Sequence, residues 1–411
     1  MFVMEIQTRS GKIYSYSKQT GEILITSINE QEPEWNFAHL TTFTSLPNVD
    51  SFILCLTEQC NLRCTYCCYS GGYENKRVHS SKSMKEKDIE DIYAFIESFT
   101  AKRPIQIFLY GGEPLLKYEL VQYAVDRAYE LWGNYVHIII STNGTTLSRE
   151  RIDWLVSNDI TLALSIDGTE PYHNLYRKDV ANNGSYAKLY EALSYIKKTY
   201  PEYVKCMTLI MTLASLDQIV DIAEAWHDDE ILRDISPTIM NSLAPNFSKG
   251  IDRADYEEVK DFYDKLLDVY EQHQDWLVLK KLFESCVAYW KERPIFVPMS
   301  AVPMATCLPN NTKLYIDTNL QIGVCEKMSD NYRIGSIKDG IDWGKANAIV
   351  GDYYKRRVSR CKNCSAVRMC NMCLTTIEYT DEQWDVLCHN EQVYTRVFMY
   401  LFCEMAERGV I

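Results

Sequence analysis

An α/β fold on a parallel sheet is the architecture this sequence predicts, on two observations. Six apolar β-type runs alternate with five amphipathic helical stretches between residues 52 and 240, and serines stand where the helices would begin. The first run, Phe52 to Leu56, precedes a helix from Met84 to Phe99 whose Ile89, Ile92, Ile96 and Phe99 share one face. Ile105 to Leu109 leads into Leu115 to Trp132, Val136 to Ser141 into Arg149 to Val156, and Thr161 to Ile166 into Tyr186 to Lys198. Lys205 to Thr212 then precedes Leu216 to His227, and Ile235 to Met240 closes the series. Ser83, Ser148, Ser185 and Ser215 occupy the expected N-cap positions. Parallel strands joined by helices take right-handed crossovers and put their functional loops at the C-terminal edge of the sheet.

Ahead of this unit, Phe2 to Thr8, Ile13 to Ser17 and Glu22 to Ser27 read as short strands separated by turns at Arg9–Lys12 and near Gly21. Behind it, Tyr256 to His273 and Trp276 to Trp290 read as helices that bridge against the sheet edge. After Pro303 the helical periodicity fades into cysteines, glycines and short strands such as Lys313 to Asp317, the pattern of a small domain held by metal. The expected organisation is therefore a β element at 1–50, an α/β unit at 51–243, a helical bridge at 244–300 and a Cys-rich domain at 301–411.

The net charge is −13 and Lys and Arg are scattered, so nothing offers a basic field to a phosphate backbone, and nucleic acid is not an expected partner. No apolar run approaches the roughly 20 residues that span a bilayer, and the N-terminus lacks a basic segment followed by an apolar stretch and cleavage site. No membrane partner is expected, and the expected location is the cytoplasm. Fifteen cysteines in such a chain are not a disulfide framework. Ten fall into two groups, while Cys55, Cys68, Cys206, Cys286 and Cys403 read as packing residues, with Cys68 the least secure because it adjoins a candidate ligand.

The first group, Cys60, Cys64 and Cys67, follows the first predicted strand with C-x3-C-x2-C spacing and carries Tyr66 between its last two members. Three thiolates hold three irons of a [4Fe–4S] cube and leave the fourth open to a small molecule. A zinc knuckle or three buried small hydrophobes are the competing readings. Gly111-Gly112-Glu113-Pro114 ends the second strand, where glycines permit close backbone approach to a ligand and the acid would accept from an ammonium group. Ser141-Thr142-Asn143-Gly144 ends the third strand, and Ser165-Ile166-Asp167-Gly168, running on to Tyr176-Arg177, ends the fourth. Asn143 and Asp167 before glycine also suit plain turn formation.

Taken together these motifs resemble the radical S-adenosylmethionine (SAM) enzymes, which implies a partial (β/α)6 barrel, with SAM and a [4Fe–4S] cluster as cofactors. The resemblance implies that the Gly-Gly-Glu motif meets the SAM amino group and that Ser165 and Arg177 meet its ribose and carboxylate, the latter through a planar two-donor fork. The C-terminal Cys361-x2-Cys364-x5-Cys370-x2-Cys373, with Cys307 and Cys325 before it and Cys388 after it, resembles the SPASM domain, which houses two auxiliary [4Fe–4S] clusters. In motif order Cys361, Cys364, Cys370 and Cys388 would hold one cluster, and Cys307, Cys325 and Cys373 the other, leaving it a ligand short unless a residue such as Cys286 completes it. Two departures stand out. Only Asn371 and Met372 separate the last two clustered cysteines where the family has three residues, and Leu320 stands where the family has glycine. Two C-x2-C pairs also suit a zinc ribbon.

Glu326 follows Cys325, where related anaerobic sulfatase-maturating enzymes place an aspartate that accepts a proton, so Glu326 is the candidate catalytic residue. The resemblance implies a maturase that cross-links or otherwise oxidises side chains of a ribosomally made peptide through a 5'-deoxyadenosyl radical. Its partners would be a precursor peptide or protein and a reductant such as flavodoxin or ferredoxin. The alternatives are a sulfatase-type maturase forming formylglycine from Cys or Ser, an oxidase of a small-molecule alcohol, and a non-catalytic cluster or zinc protein that binds peptide. The N-terminal β element would contact a leader peptide by strand addition, or act as a lid on the barrel edge.

Overall fold

The computed structural model describes residues 4–26, 37, 40, 42–46, 48–73, 76–100, 103–241, 252–293, 295, 306–309 and 311–411. Six parallel strands form the barrel wall in sequence order: β4 (Asn48–Thr57), β5 (Ile105–Gly111), β6 (Val136–Thr142), β7 (Thr161–Ser165), β8 (Thr208–Leu213) and β9 (Pro237–Asn241). The connecting helices are α1 (Glu86–Thr100), α2 (Tyr118–Trp132), α3 (Arg149–Ser157), the short α4 (Glu170–Tyr176), α5 (Tyr186–Thr199) and α6 (Ile219–Asp228). Each lays one stripe on the sheet, as α1 does with Ile89, Ile92, Tyr93 and Ile96. The parallel α/β barrel expected from the sequence is thus present. Of the expected N-caps, Ser148 accepts from Arg151 N at 3.3 Å. Ser185 precedes α5 without a side-chain cap, and Ser83 and Ser215 are not caps, because α1 and α6 begin three to four residues later.

The sheet does not stop at the barrel. β10 (Asn311–Ile316) pairs in parallel with β4, and β11 (Gln321–Gly323), β12 (Gly335–Ser336) and β13 (Gly340–Ile341) extend it antiparallel to ten strands. The turn between β10 and β11 holds Leu320 at φ +58°, a left-handed conformation that glycine takes without cost. The family's glycine at this position is therefore replaced without the turn being lost. The C-terminal region is also more helical than its sequence suggested. α9 (Trp343–Cys361) is capped by Asp342, and α10 (Asp381–Glu407) opens on a capping box in which Thr380 and Gln383 satisfy each other's backbone N–H groups. Trp384, fully buried, donates its indole N–H to Thr376 O at 2.7 Å. Ala346, Tyr353, Met369, Leu374 and Trp384 of this region join the apolar core that is continuous with the barrel, so it is packed as well as Cys-rich.

The helices α7 (Tyr256–Gln272) and α8 (Leu277–Lys291) bridge the halves: α8 lies on β9 and α6, and both lie on α10. The N-terminal strands β1 (Met4–Gln7), β2 (Ile13–Tyr16) and β3 (Ile23–Leu24) form an antiparallel sheet docked on these helices. Arg9 pairs with Asp264 at 2.8 Å and Asp268 at 2.6 Å, Tyr14 donates to Glu407 at 2.7 Å, and Tyr16 meets Trp290 edge-on. Among the described residues no helix is long and apolar enough to cross a membrane. The expected unit boundaries at 243/244 and 300/301 fall outside the described residues.

Replacing Trp384 by Ala removes a fully buried indole, and the expected cost is about 3–5 kcal/mol. A urea titration should show the loss in iron-free protein as well as in loaded protein; an unchanged midpoint without iron would leave metal as the sole organiser of this region.

Candidate active site

The loop after β4 is tied down on both sides before any cofactor is considered. Arg63 N and Thr65 N donate to Lys178 O at 2.6 Å and Tyr176 O at 3.0 Å, while Gly112 N and Glu113 N donate to Thr57 O and Gln59 O, both at 2.8 Å. The glycines serve this second contact. A Cβ on Gly111 would lie 2.2 Å from Thr57 O, and one on Gly112 would lie 2.3 Å from Gln59 O. The glycines thus permit a close approach to the chain's own backbone as well as standing on the wall where a ligand would approach.

Held this way, Cys60, Cys64 and Cys67 line one cavity of about 350 Å³ together with Tyr66, Gly111, Gly112, Ser141, Asn143, Ser165, Arg177 and Glu326. Glu113 does not line it. Its fully buried carboxylate accepts from Leu115 N at 3.0 Å, Thr142 Oγ1 at 2.8 Å and Asn143 N at 2.7 Å, bracing the ends of β5 and β6, and burial pushes its pKa up to about 7 against those donors. Asp167 does not line it either. It accepts from Arg177 Nε at 2.6 Å and Nη2 at 3.2 Å, from Thr212 N at 2.9 Å and from the Tyr66 hydroxyl. Both acids act as internal anchors, which the motif resemblance did not distinguish from ligand contacts. Asn143 joins the rim of β6 to the cysteine loop, donating to Asn61 Oδ1 at 3.0 Å.

His173, inside the segment that runs from Ser165 to Arg177, completes this anchor. Its Nδ1 accepts from Asp167 N at 3.1 Å, and its Nε2 lies 3.0 Å from Ser185 Oγ, which donates to Arg177 O. Burial, with the Arg177 charge, lowers its pKa to about 4. Lys313 and Tyr69 were unsignalled. Lys313 Nζ lies 3.2 Å from the Glu326 carboxylate, and Tyr69 donates its hydroxyl to Glu326 O at 2.9 Å. Burial is the largest effect and opposes the Glu326 charge, but Lys313, a backbone N–H and Lys327 together outweigh it and hold the pKa below the ordinary value.

The fit to a cofactor is testable on the sulfur atoms. Backbone N–H groups two residues on point at Cys60, Cys67 and Cys325, each at 3.4 Å, and Cys364 and Cys370 receive the same bond from Ala366 and Met372. Such donors suit thiolates, the form that binds iron. Burial pushes the free thiols of Cys60 and Cys64 up to about 12 and 11, so loading must displace their protons. Among the described residues no three His, Cys, Asp or Glu side chains are placed to share a single metal ion. The rest of the cavity suits an amphipathic ligand: Ile210 and Met240 supply apolar wall, and the Ser141 and Ser165 hydroxyls bond to no described residue.

Cys361, Cys364, Cys370 and Cys388 line a second, smaller cavity between α9 and α10. Cys307 and Cys325 both lie within electrostatic reach of Lys313, where burial opposes its charge but Glu326, Cys325 and Cys307 together outweigh it, and Cys373 lies within reach of Cys325 and helps raise its thiol. Cys286 is not with them; it is buried in α8 beside Tyr263. Cys55 and Cys403 are buried as expected, Cys206 is exposed, and Cys68 lines the first cavity.

Residues 54–225 match the Radical SAM superfamily over the segment that carries all of the first cavity's barrel residues up to Thr212. They are a radical SAM domain. A [4Fe–4S] cluster and SAM are the cofactors of such a domain, and the thiol and cavity geometry accommodates both. The cysteine-type anaerobic sulfatase-maturating enzyme of Clostridium novyi (strain NT) is 25% identical over 336 residues, 76% of this chain and 84% of that protein. Native anSMEcpe with bound AdoMet and Cp18Cys peptide superposes with a TM-score of 0.63 at 19% identity, covering 88% of this chain and 98% of that one. Streptococcus suis SuiB bound to precursor peptide SuiA gives 0.52 at 14% identity, covering 82% and 74%. These likenesses place the radical SAM domain and the C-terminal region in one fold.

Gly112→Ala should push the cysteine loop off β5, halving or worse the iron retained by the radical SAM domain; full iron content would show that the loop has room to move. His173 titrates near 6.5 when unfolded and near 4 when folded, so the folded state binds fewer protons between these values. Stability should therefore fall as pH drops from about 6.5 to about 4, by up to about 3 kcal/mol, and His173→Gln should flatten that part of the profile. Equal slopes for the two proteins would remove His173 from the anchor.

Proposed function

We propose that this chain is a radical SAM maturase that oxidises a side chain of a peptide substrate, with Glu326 accepting the proton that the substrate loses. The supporting observation is that Glu326, carried on the C-terminal region, lines the same cavity as Cys60, Cys64 and Cys67 of the radical SAM domain. In this reading the three thiolates hold the cluster, and Ser141, Ser165 and Arg177 orient SAM, with Arg177 fixed by Asp167 and Glu113 acting only through the backbone it braces. A cluster held by Cys60, Cys64 and Cys67, with SAM beside it, would supply the radical chemistry that removes a hydrogen atom from the substrate. Glu326 is poised for what remains, removal of the proton, with Lys313 keeping its carboxylate ionised. Cys325 adjoins it, so a centre held by Cys307, Cys325 and Cys373 would stand beside the substrate to take the electron. The substrate then loses a hydrogen atom, a proton and an electron, the balance of a two-electron oxidation.

A peptide is favoured over a small molecule because anSMEcpe and SuiB have been captured with Cp18Cys peptide and precursor peptide SuiA. A ribosomally made peptide, cross-linked by loss of two hydrogens, is the leading substrate class. Formylglycine formation from Cys or Ser is the second reading, supported by the relation to the Clostridium novyi enzyme and by the acid following Cys325. The mass and fragment pattern of the product separate the two.

Glu326→Gln should lower product formation by about 10²–10⁴-fold while SAM cleavage continues, and Glu326→Asp should restore part of it. Full turnover in Glu326→Gln would sink the assignment of the base. Iron analysis of the Cys60, Cys64, Cys67 triple Ala variant checks the C-terminal sets: about eight irons fit two cubes, about four fit one, and zinc in their place would make the region a ribbon.

A further inference from the structure

Arg357 lies on α9 one turn before Cys361, on the face that lines the second cavity with Cys361, Cys364, Cys370 and Cys388. Its guanidinium is buried, with the residue 3% exposed, and Nη1 donates to Cys370 Sγ at 3.3 Å. Its charge acts on Cys361, Cys370 and Cys388 together. Arg360 also lines the cavity and its charge also reaches Cys361 and Cys388, but its guanidinium is bonded to Asp381 and Asp385 and, among the described residues, to no sulfur. The Glu391 carboxylate on the same cavity accepts from Asn371 N at 2.9 Å, and burial pushes its pKa up. Cys361 sits in the last turn of α9, where the helix dipole and unpaired carbonyls are negative and a buried thiolate needs a compensating cation.

We propose that Arg357 is a positioning residue that sets the reduction potential of the cluster held by Cys361, Cys364, Cys370 and Cys388, making it the terminal acceptor of the electron the substrate gives up. The inference rests on the reading above, that these four cysteines hold a [4Fe–4S] cluster. A cube on four thiolates becomes more negative on reduction. A fixed buried cation and an N–H···S bond both stabilise the reduced form and raise the potential. Lys313 brings a cation to Cys307 and Cys325 and Arg177 one to Cys64, but among the described residues no arginine is bonded to a sulfur of those sets, so the N–H···S contribution would be specific to this cluster. Lysine at 357 would keep the charge and lose the fork; methionine would keep the stem and lose both.

The test is a redox titration followed by electron paramagnetic resonance on the full chain, reconstituted anaerobically, in the Cys60, Cys64, Cys67 triple Ala background so that only the C-terminal centres report. Arg357→Met should keep its iron and show one midpoint moved to a more negative potential, with Arg357→Lys between it and the parent. In the otherwise unmodified enzyme, Arg357→Met should lower the ratio of product to SAM consumed. Identical midpoints in all three proteins would overturn the proposal, as would loss of about four irons from both variants, which would make Arg357 a structural support. A parent without C-terminal iron would overturn the cluster reading itself, and this inference with it.

Discussion

The buried ion pair between Arg177 and Asp167 is the contact on which the cavity depends. It joins the end of β7 to the segment after α4, takes Thr212 N of β8 as a further donor, and fixes Tyr66 of the cysteine loop through its hydroxyl. Neither charge would be tolerated at that depth alone, since a carboxylate or guanidinium out of water is stable only with its partners in place. His173 and Ser185 extend the same network to α5. The pair is therefore less a source of net stability than a device that permits one arrangement of loop, strand ends and cavity wall.

A second constraint brings the two halves of the chain to one site. Because β10 pairs with β4, the residue five beyond β11's first, Glu326, emerges at the C-terminal edge of the barrel sheet beside the cysteine loop. Tyr69 and Lys76 hold it there, Tyr69 through Glu326 O and Lys76 through Lys327 O and Glu378. The arrangement keeps the acid close to the sulfurs while Lys313, on β10 itself, supplies its counter-charge. A barrel and a separate appended domain would not give that proximity; a continuous sheet does.

What could be read from the sequence followed from how locally each feature is encoded. The triad Cys60, Cys64, Cys67, the strand–helix alternation and the Gly111-Gly112 turn lie in short windows, and the spacing alone brings their meaning to the surface. The roles of Glu113 and Asp167 were not legible, because a carboxylate aimed at a ligand and one aimed at backbone N–H groups look alike in one dimension. Lys313 and Tyr69 enter the site only through the pairing of β10 with β4 and the fold of the loop, contacts between residues far apart in sequence. The long helix α10 had a readable signal, Thr380 followed by Gln383 ahead of an apolar run. There the cysteine spacing drew the reading toward a metal-held domain, and the helical period of α9 and α10 went unused.

The pairing of β10 with β4 also sets an order of assembly. β4 opens the barrel, yet one of its two edges stays unpaired until residues 311–316 have been made, so a barrel whose last strand ends at Asn241 presents an open strand edge until β10 follows. Closing a loop of that length before the contact is rewarded slows the step. A cluster inserted before then would sit in a barrel without Glu326 and Lys327 on its wall. The strands synthesised last thus complete the wall of a cavity that the first barrel strand begins.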